Sequence, residues 1–427
     1  MSRRLIAFLI LSIIVLTACG RVQSTKPAAA GYLLFIEEGY TSGGQQITVR
    51  DSGTGRIERQ LPIGTAAPDW SRYYTVTQLG GSARLTAIDP ASGGTLAQTT
   101  IPAGYALPDF GYSGPSAGLS PNGLWLALTS PGKHAGGGVV TNFLVGSSSL
   151  SEPFVNVQVD GDFSFDALSN DGQSLYLIQK MSDPNHYQVR LYDIGAASLA
   201  AQKVVDKREP DEPMEGIRGD SVADPNGNQV FTVYVRDSGP FIHALPLLNQ
   251  PFAWCVDLPS KGGSDLEQQF HWSLAIGRQG GPVYLVNTTL GMVAEMTTGN
   301  PPAIARTKPL ALSSGGNPFA GLVTDAEAKG PRIGGAALSA DGRTLFAVGQ
   351  SGLVAIDTAT LRIRLRILNG ETVDSIRLSS DGKWLYAAGA AHSKLWQINA
   401  STGAVSGEVM GSTNPWALLW AEPTESR

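Results

Sequence analysis

The sequence of 427 residues predicts an all-β protein built from repeated four-stranded units. Two adjacent segments, 335–368 and 373–410, repeat the same order of short apolar strands and turns. The composition is rich in glycine (51) and proline (26), only 16% of residues are charged, and no long helical periodicity is present. Four antiparallel strands in about 40 residues are the size of one β-propeller blade.

The turn between the first two strands of each unit, the a–b turn, recurs along the chain. It reads Leu-Ser-Ala-Asp-Gly at 338–342 and Leu-Ser-Ser-Asp-Gly at 378–382, with weaker copies at 119–123, 168–172 and 223–227. Asp-Gly and Asn-Gly pairs favour hairpin turns because both residue types tolerate positive φ. The recurrence predicts one hairpin per unit over most of the chain.

The turn between the third and fourth strands, the c–d turn, supports the same division. It begins with an acidic or amide residue at Asp51, Asp89, Asp193, Asp357 and Asn399. Such a side chain accepts backbone N–H groups two residues further on and stabilises the turn. We therefore interpret these carboxylates as structural rather than catalytic.

The two ends of the folded body complete each other. Segment 32–63 has three strands and no innermost one, whereas 415–421 is a single strand. Pairing them completes a blade, closes the ring and removes its exposed edges. The sequence thus predicts a propeller of eight four-stranded blades, with seven as the alternative if 217–311 is divided differently. The blades are 32–63 with 415–421, 67–102, 113–159, 163–206, 217–259, 270–311, 334–368 and 373–410.

These repeats resemble the YVTN/WD40-like propeller superfamily over nearly the whole mature chain. The best-matching stretches are 338–357 and 378–403. No blade carries the Trp-Asp or Gly-His signature of true WD40 repeats. The resemblance therefore implies the fold, and not the hydrogen-bond network of that family.

The N-terminus has the pattern of a secretory signal. Arg3 and Arg4 precede an apolar run, 5–16, which is short for a membrane span and is followed by small residues. The Leu-Thr-Ala-Cys sequence at 16–19 resembles the lipobox of bacterial lipoproteins, which implies that Cys19 is the first mature residue and carries the lipid. The alternative is a plain signal peptide with an incidental cysteine.

The predicted organisation follows from these patterns. Residues 1–18 form the lipoprotein signal peptide, 19–31 the lipidated cysteine and a flexible tether, 32–423 a single propeller, and 424–427 a tail. A lipid on Cys19 predicts an extracytoplasmic protein of the bacterial cell envelope, attached to the membrane through its anchor. Cys255 is then the one remaining cysteine, in a strand-like run, and is predicted to be an inert buried thiol.

Charge limits the partners that the sequence predicts. The formal net charge is −5, and we identify no cluster of Lys and Arg in the sequence. Both observations argue against nucleic acid as a partner. The five histidines have none of the usual metal-ligand spacings. No catalytic residue, metal ligand or cofactor is assigned.

The long connections indicate where a ligand would bind. In a propeller the a–b and c–d turns share one face, and the b–c and d–a connections share the other. The long connections here belong almost entirely to the second face, and elaborated loops on a rigid scaffold are where function concentrates. They are 131–138, 181–187, 206–216, 260–269 and 313–334. The candidate binding residues on this face are His134, His186, Asp211 and His392, whereas His243 and His271 are predicted to lie in strands of the core.

Two functions of different class follow. The favoured one is a binding or assembly module that holds a protein or a small ligand on the face with long connections. The alternative is a propeller enzyme, either a lactonase-like hydrolase or a quinoprotein or amine-dehydrogenase-like oxidoreductase, for which carboxylates and histidines of several blades must converge at the channel mouth. A purely structural envelope protein is a third possibility that the sequence does not separate from the first.

Overall fold

The computed structural model describes residues 31–41, 44–108, 117–135, 138–183, 186–211, 214–227, 229–260, 266–311, 335–409, 411 and 415–424. The predicted signal peptide, Cys19 and nearly all of the tether lie outside this set. Within it, no helix has the length and apolar character needed to cross a membrane.

The described strands form eight sheets arranged as the blades of an eight-bladed propeller. In chain order the strands are β1 (Tyr32–Thr41), β2 (Gly44–Asp51), β3 (Ile57–Pro62), β4 (Thr65–Ala66), β5 (Tyr73–Gln78), β6 (Ser82–Ile88), β7 (Thr95–Pro102), β8 (Trp125–Ala135), β9 (Gly138–Ser147), β10 (Val155–Asp160), β11 (Phe163–Leu168), β12 (Ser174–Lys180), β13 (His186–Asp193), β14 (Ser198–Leu199), β15 (Val205–Asp206) and β16 (Met214–Glu215).

The second half of the chain continues with β17 (Ile217–Ala223), β18 (Gln229–Arg236), β19 (Gly239–Pro246), β20 (Phe252–Asp257), β21 (Ser273–Ile276), β22 (Val283–Asn287), β23 (Met292–Thr297), β24 (Ala303–Pro309), β25 (Ala336–Leu338), β26 (Thr344–Val348), β27 (Leu353–Asp357), β28 (Arg362–Ile367), β29 (Ser375–Leu378), β30 (Trp384–Gly389), β31 (Lys394–Asn399), β32 (Val405–Glu408) and β33 (Pro415–Pro423). A short helix α1 (Leu266–Gln269) and a 3-10 helix (Ala390–His392) are the helical elements of the described residues.

Five of the eight described sheets have four strands, one has three and two have five. Blade 1 is β33 with β1–β3, blade 2 is β4–β7, blade 3 is β8–β10, and blade 4 is β11–β14 with β16. Blade 5 is β17–β20 with β15, and blades 6, 7 and 8 are β21–β24, β25–β28 and β29–β32. The predicted count of eight is therefore confirmed.

The ring closes as the sequence predicts. Strand β33 pairs antiparallel with β1, with Leu33 opposite Glu422 and Phe35 opposite Trp420. The Trp420 ring also stacks on Trp70 of blade 2, with ring centroids 5.8 Å apart. The C-terminal strand thus becomes the innermost strand of blade 1 and contacts the next blade.

The core of the described protein is divided into eight apolar clusters, each between two neighbouring blades. Side chains alternate along a strand, so successive residues pack against opposite neighbours. In β1, Leu34 and Ile36 pack toward blade 8, whereas Phe35 packs toward blade 2. Every blade therefore contributes two apolar faces, which explains the near-continuous hydrophobic runs of the middle strands.

The a–b turns share one hydrogen-bond pattern. The Ser379 hydroxyl donates to Asp381 at 2.6 Å and accepts the backbone N–H of Trp384 at 3.0 Å. The same pair of bonds forms in blades 3, 4 and 7, with asparagine in place of aspartate in blade 3. At the c–d turns, the Asp357 carboxylate accepts the N–H and the hydroxyl of Thr360. The predicted structural role of these side chains is confirmed.

Blade 3 departs from the prediction at its outer end. Residues 131–138, predicted as a long connection, are instead mostly strand, because β8 extends to Ala135 and β9 begins at Gly138. The pairing register shifts between Ser130 and Lys133. Proline is tolerated in a strand at such an irregularity, because there its missing N–H breaks no ladder bond.

Blades 4 and 5 are joined in a way the repeat pattern does not contain. The outer strand of blade 4 is broken into β14 and β16, which pair with opposite ends of β13. Between them Val204 still bridges to Val189 of β13, and the next two residues, β15, pair in parallel with β20, the outer strand of blade 5. The predicted blade 4, 163–206, therefore gives its last two residues to the next sheet.

Candidate binding cleft between blades 4 and 5

The face that carries the b–c and d–a connections, here the long-connection face, has a cleft at this junction. Two cavities, of about 160 and about 110 Å³, lie side by side and share Met214 as a lining residue. Their walls come from the start of β13, from 203–209 and from the ends of β18 and β20. The cleft exists because the outer strand of blade 4 is interrupted here.

The first cavity contains His186, one of the residues predicted from sequence. Its Nδ1 lies 2.8 Å from an Asp183 carboxylate oxygen, and its Nε2 lies 3.9 Å from Glu215. About a third of the His186 side chain is exposed, compared with 54% of Asp183. The imidazole is therefore held between two carboxylates and is reachable from solvent.

The second cavity is lined by charges of both signs. The Arg236 guanidinium lies 3.4 Å from Asp257 and 4.0 Å from Glu215. Arg208 lies 3.9 Å from Asp206, whose side chain is 10% exposed. Because Glu215 contacts both His186 and Arg236, the two cavities form one electrostatic unit.

An aromatic layer lies beneath these charges. The rings of Tyr187 and Tyr234 stack with centroids 5.1 Å apart, and Tyr234 stacks on Phe241 at 5.7 Å. The Arg236 guanidinium lies 4.7 Å above the Phe241 ring. The layer gives the cleft a stiff base and fixes one of its cations.

A buried polar group lies deeper between the two blades. His243 is 2% exposed and meets Tyr234 edge-on, and neither of its ring nitrogens hydrogen-bonds a described residue. Burial lowers the pKa of His243, while the nearby Asp166 opposes that shift. Asp166 lies 3.5 Å from Arg218. Such a group is costly for the fold, because an unsatisfied buried polar atom loses its hydration without replacement.

Cys255 borders the cleft on β20. It is half-buried, and burial followed by the charge and hydrogen bond of Asp206 raises its pKa well above the ordinary range. The thiolate is the reactive form of cysteine, so this environment disfavours nucleophilic chemistry. The predicted inert thiol is supported, although it is less buried than expected.

The segment 206–213, the first part of the predicted long connection 206–216, carries charges of both signs. The structure describes it only to Asp211, and Asp206 is nearly buried. The Lys207 ammonium lies 4.5 Å from the Phe252 ring centroid and 5.2 Å from that of Trp254. The first part of this segment is therefore packed against blade 5 and is more than a linker.

The four predicted site residues lie on different blades. His186 lines the cleft, and the exposed Asp211 lies in the connection from blade 4 to blade 5. His134 belongs to β8 of blade 3, and its side chain is outside the description, whereas the exposed His392 ends the 3-10 helix of blade 8. No contact in the described structure joins these four residues, and the described His, Cys, Asp and Glu residues form no group suited to a metal ion.

His271 corrects another expectation. It lies in the turn between α1 and β21 rather than in a strand, and its Nδ1 is 2.6 Å from the Thr289 hydroxyl. His243 does lie in a strand, β19, as predicted.

The inner strands carry a second charged pair. Asp220 of blade 5 accepts the backbone N–H of Leu274 at 2.8 Å, and burial raises its pKa to about 7. Arg377 of blade 8 opposes that shift electrostatically. Since blades 5 and 8 are not neighbours, this interaction crosses the central channel. At the short-turn end, Arg278 of blade 6 reaches the carbonyls of Ser379 and Ser380 in blade 8, closing part of that end.

Comparison with known proteins supports the fold and goes no further. No family model and no curated protein matches the chain. AztD from Citrobacter koseri is 12% identical over 92% of this chain and 98% of its own, with a TM-score of 0.50. The dihydro-heme d1 dehydrogenase NirN is 14% identical over 94% of this chain and 76% of its own, with a TM-score of 0.51.

A third solved structure is the periplasmic gluconolactonase PpgL of Pseudomonas aeruginosa, 19% identical over 91% of this chain and 98% of its own, with a TM-score of 0.46. Identities this low show the β-propeller fold alone. The YVTN/WD40 assignment stays a resemblance.

Sequence reasoning missed most of the cleft. Arg236 and Asp257 end ordinary strands, and nothing in their local pattern distinguishes them. Glu215 could not be identified from its local pattern either, because it comes close to His186 only through the pairing of β16 with β13. The one available signal was the concentration of charges in 206–213, whose neighbours in space cannot be read from the sequence.

Proposed function

We propose that this protein is a lipid-anchored propeller of the bacterial cell envelope that binds a charged protein or small-molecule partner in the cleft between blades 4 and 5. The observation that carries the proposal is the cleft's double layer. Partly exposed charges of both signs, on Arg236, Glu215 and Asp257, lie beside the His186 imidazole and rest on stacked aromatic rings. A concave site with a few placed polar groups over an apolar base is the usual form of a ligand site.

The proposed function needs the cleft to face away from the membrane. The point at which the chain enters the propeller supports that orientation. Gly31 and Tyr32 enter β1 at the face of the a–b and c–d turns, where the Tyr32 hydroxyl donates to Asp381 of an a–b turn. A tether on this short-turn face directs the long-connection face, and with it the cleft, away from the membrane. A partner outside the bilayer then has access to it.

Site-specific photocrosslinking of the full chain tests the proposal. A photoreactive amino acid replaces either Glu209 or Asp257 on the cleft, or Leu124, which is 60% exposed on an a–b turn of blade 3. We expect the same adduct from both cleft positions and none from Leu124, in cells that naturally produce the protein. Arg236→Glu is expected to reduce the cleft adduct, since it places a second acid beside Asp257.

The opposite pattern overturns the cleft assignment: an adduct from Leu124 and none from Glu209 or Asp257. The anchor is tested separately by mass spectrometry of the mature N-terminus. Cleavage before Cys19 with added acyl mass is expected, and an unmodified N-terminus contradicts the anchor while leaving the cleft assignment intact.

A further inference from the structure

The outer strands of blades 6 and 7 carry a basic surface, although no cluster of Lys and Arg is expected from the sequence. Strand β28 reads Arg-Ile-Arg-Leu-Arg-Ile, so Arg362, Arg364 and Arg366 alternate with apolar residues. Strand β24 of the neighbouring blade adds Arg306 and Lys308. Four of these cations line a groove, and Arg306 lies beside it. The groove together with the five cations is called the basic groove below. With the intervening backbone, β28 and the end of β24 border a groove of about 810 Å³.

The cations of the basic groove are held mostly by neutral acceptors. Lys308 donates to the Thr360 carbonyl at 2.8 Å, and Arg366 donates to the Ala311 carbonyl at 2.7 Å. Arg364 donates to the Thr344 hydroxyl at 3.1 Å. These bonds orient the side chains and leave their charge uncompensated.

Among the described carboxylates, only Glu295 forms an ion pair with this group, through Arg306. Asp357 is close enough for Arg364 to lower its pKa, yet its hydrogen bonds go to Thr360. The basic groove therefore carries an excess of positive charge on a chain whose formal net charge is −5.

Arginines on an edge strand also prevent sheets from pairing edge to edge. That explanation applies equally to the outer strands of the other blades, and those strands are built differently. Strands β7, β10, β20 and β32 contain no Lys or Arg, and β3 contains Arg59 alone. The concentration of cations on two adjacent strands is thus specific to blades 6 and 7.

The basic groove begins at the face that carries the tether and runs along the outer rim, where Arg366 at its far end reaches Ala311. Arg362 directly follows the c–d turn of blade 7, and Arg306 donates to the carbonyls of Thr358 and Ala359 in that turn. The c–d turns lie on the short-turn face, where Tyr32 enters β1. About a dozen tether residues span at most about 40 Å, so a bilayer holding the anchor lies within reach of this face.

We propose that the basic groove binds the phosphate-bearing headgroups of anionic lipids in the membrane to which the protein is tethered. This inference rests on the proposed lipid anchor. Guanidinium groups match phosphate oxygens in geometry, and clustered cations near a membrane each add attraction to anionic lipid. The contact tilts the short-turn face toward the bilayer at the rim of blades 6 and 7 and leaves the cleft of blades 4 and 5 on the other face.

Arginine footprinting of the full-length mature protein in vesicles tests the contact residue by residue. The modification rates of Arg362, Arg366 and Arg84 by a dicarbonyl reagent are compared in phosphatidylcholine vesicles with and without phosphatidylglycerol. Arg84 is an exposed arginine of blade 2 and serves as the internal control. We expect modification of Arg362 and Arg366 to slow about fivefold with the anionic lipid, to recover in high salt, and to stay constant at Arg84.

Charge-reversal variants separate a local contact from net charge. Arg362→Glu/Arg366→Glu and the control Arg84→Glu/Lys180→Glu change the net charge equally. Only the first pair is expected to abolish the tighter association with anionic vesicles.

Three results overturn the proposal: unchanged rates at Arg362 and Arg366, equal slowing at Arg84, or the same protection by inorganic phosphate without vesicles. The last result assigns the groove to a free anion instead. Failure of the anchor is seen independently, as loss of flotation with purely neutral vesicles.

Discussion

Strand pairing is regular in blades 7 and 8 and irregular at the junction of blades 4 and 5. In blades 7 and 8 the four strands pair in chain order, and each a–b turn is closed by the same Ser–Asp hydrogen bonds. At the junction a strand breaks, β15 pairs in parallel with the next blade, and the buried His243 has no hydrogen-bond partner for either ring nitrogen among the described residues. The regular blades are built for stability, whereas the junction carries polar groups that cost stability.

This difference indicates where the fold serves function. Buried polar groups and interrupted strands are retained in a protein at sites that do something other than stabilise it. The cleft, with His186, Glu215 and Arg236, lies at the only break of this type among the described blades. The comparison can be tested by variants that affect one region and leave the other unchanged.

The largest expected contrast is between two buried side chains. Ile398→Ala in blade 8 removes a fully buried side chain from an apolar cluster, and we expect a loss of about 2–5 kcal/mol in the free energy of unfolding. His243→Phe in blade 5 removes the unsatisfied ring nitrogens and keeps a planar ring. It is expected to change that free energy by less than about 1 kcal/mol or to increase it. Urea denaturation of the full chain measures both, and a loss for His243→Phe as large as for Ile398→Ala contradicts the comparison.

The pH dependence of stability tests Asp220, the buried carboxyl group of the inner strands. The pKa of Asp220 is raised to about 7 in the fold, so between about pH 4 and pH 7 the folded protein retains a proton that the unfolded chain has lost. Its stabilising contribution is therefore complete below about pH 4 and is lost as the pH rises to 7. We expect Asp220→Asn to remove a slope of up to about 1.4 kcal/mol per pH unit in this window, measured by urea midpoints.

His243 provides the control of opposite sign. Its pKa is lowered in the fold, so the unfolded chain binds the extra proton and wild-type stability falls as the pH drops below about 6.5. His243→Phe is expected to weaken that loss and to leave the slope assigned to Asp220 unchanged. Identical pH profiles for the two variants would show that neither group has the assigned role.

The repeated turn predicts equal effects in unlike blades. Ser379→Ala and Ser169→Ala each remove a hydroxyl that bonds both a carboxylate and a backbone N–H. We expect each to lower the free energy of unfolding by about 1 kcal/mol, because the turn is local and independent of its neighbours. A clearly larger effect at Ser169 would mean that the irregularity of blade 4 extends to its inner hairpin.

The smallest effect is expected at Lys207. Lys207→Ala removes the ammonium that lies over the rings of Phe252 and Trp254, and partly exposed contacts of this kind contribute about 0.5–1 kcal/mol. Lys207→Arg keeps the cation and is expected to restore most of the loss. Thermal denaturation of the two variants is sufficient, and equal losses would show that the charge over the rings is not the stabilising feature.

Local patterns were sufficient to predict the regular part of the fold. The a–b turns, the eight blades and the closure of β33 on β1 follow from turn residues and strand order, which neighbouring residues specify. The parallel pairing of β15 with β20 was out of reach, because two residues carry too little pattern to identify a partner nearly 50 positions away. The extension of β8 past Pro131 was missed because only the pairing with β9 makes that proline acceptable in a strand.

The candidate site was predicted only in outline. The choice of face and of His186 came from the long connections, whereas Arg236, Glu215 and Asp257 become neighbours through tertiary pairing alone. His134 and His392 belong to blades 3 and 8, whereas the cleft is formed by blades 4 and 5. The arginines of β28 are visible in the sequence, but they occupy alternate positions and so do not form the consecutive run that is typical of a basic cluster.

Carboxylate footprinting in intact cells tests the assignment of the cleft most directly. Labelling rates of Glu209 and Asp257 are compared between cells that naturally produce the protein and the purified full chain, with the exposed Glu152 of blade 3 as the reference. The account predicts slower labelling of both cleft carboxylates in cells and an unchanged rate at Glu152. Equal rates for all three residues in the two preparations would contradict a partner bound between blades 4 and 5.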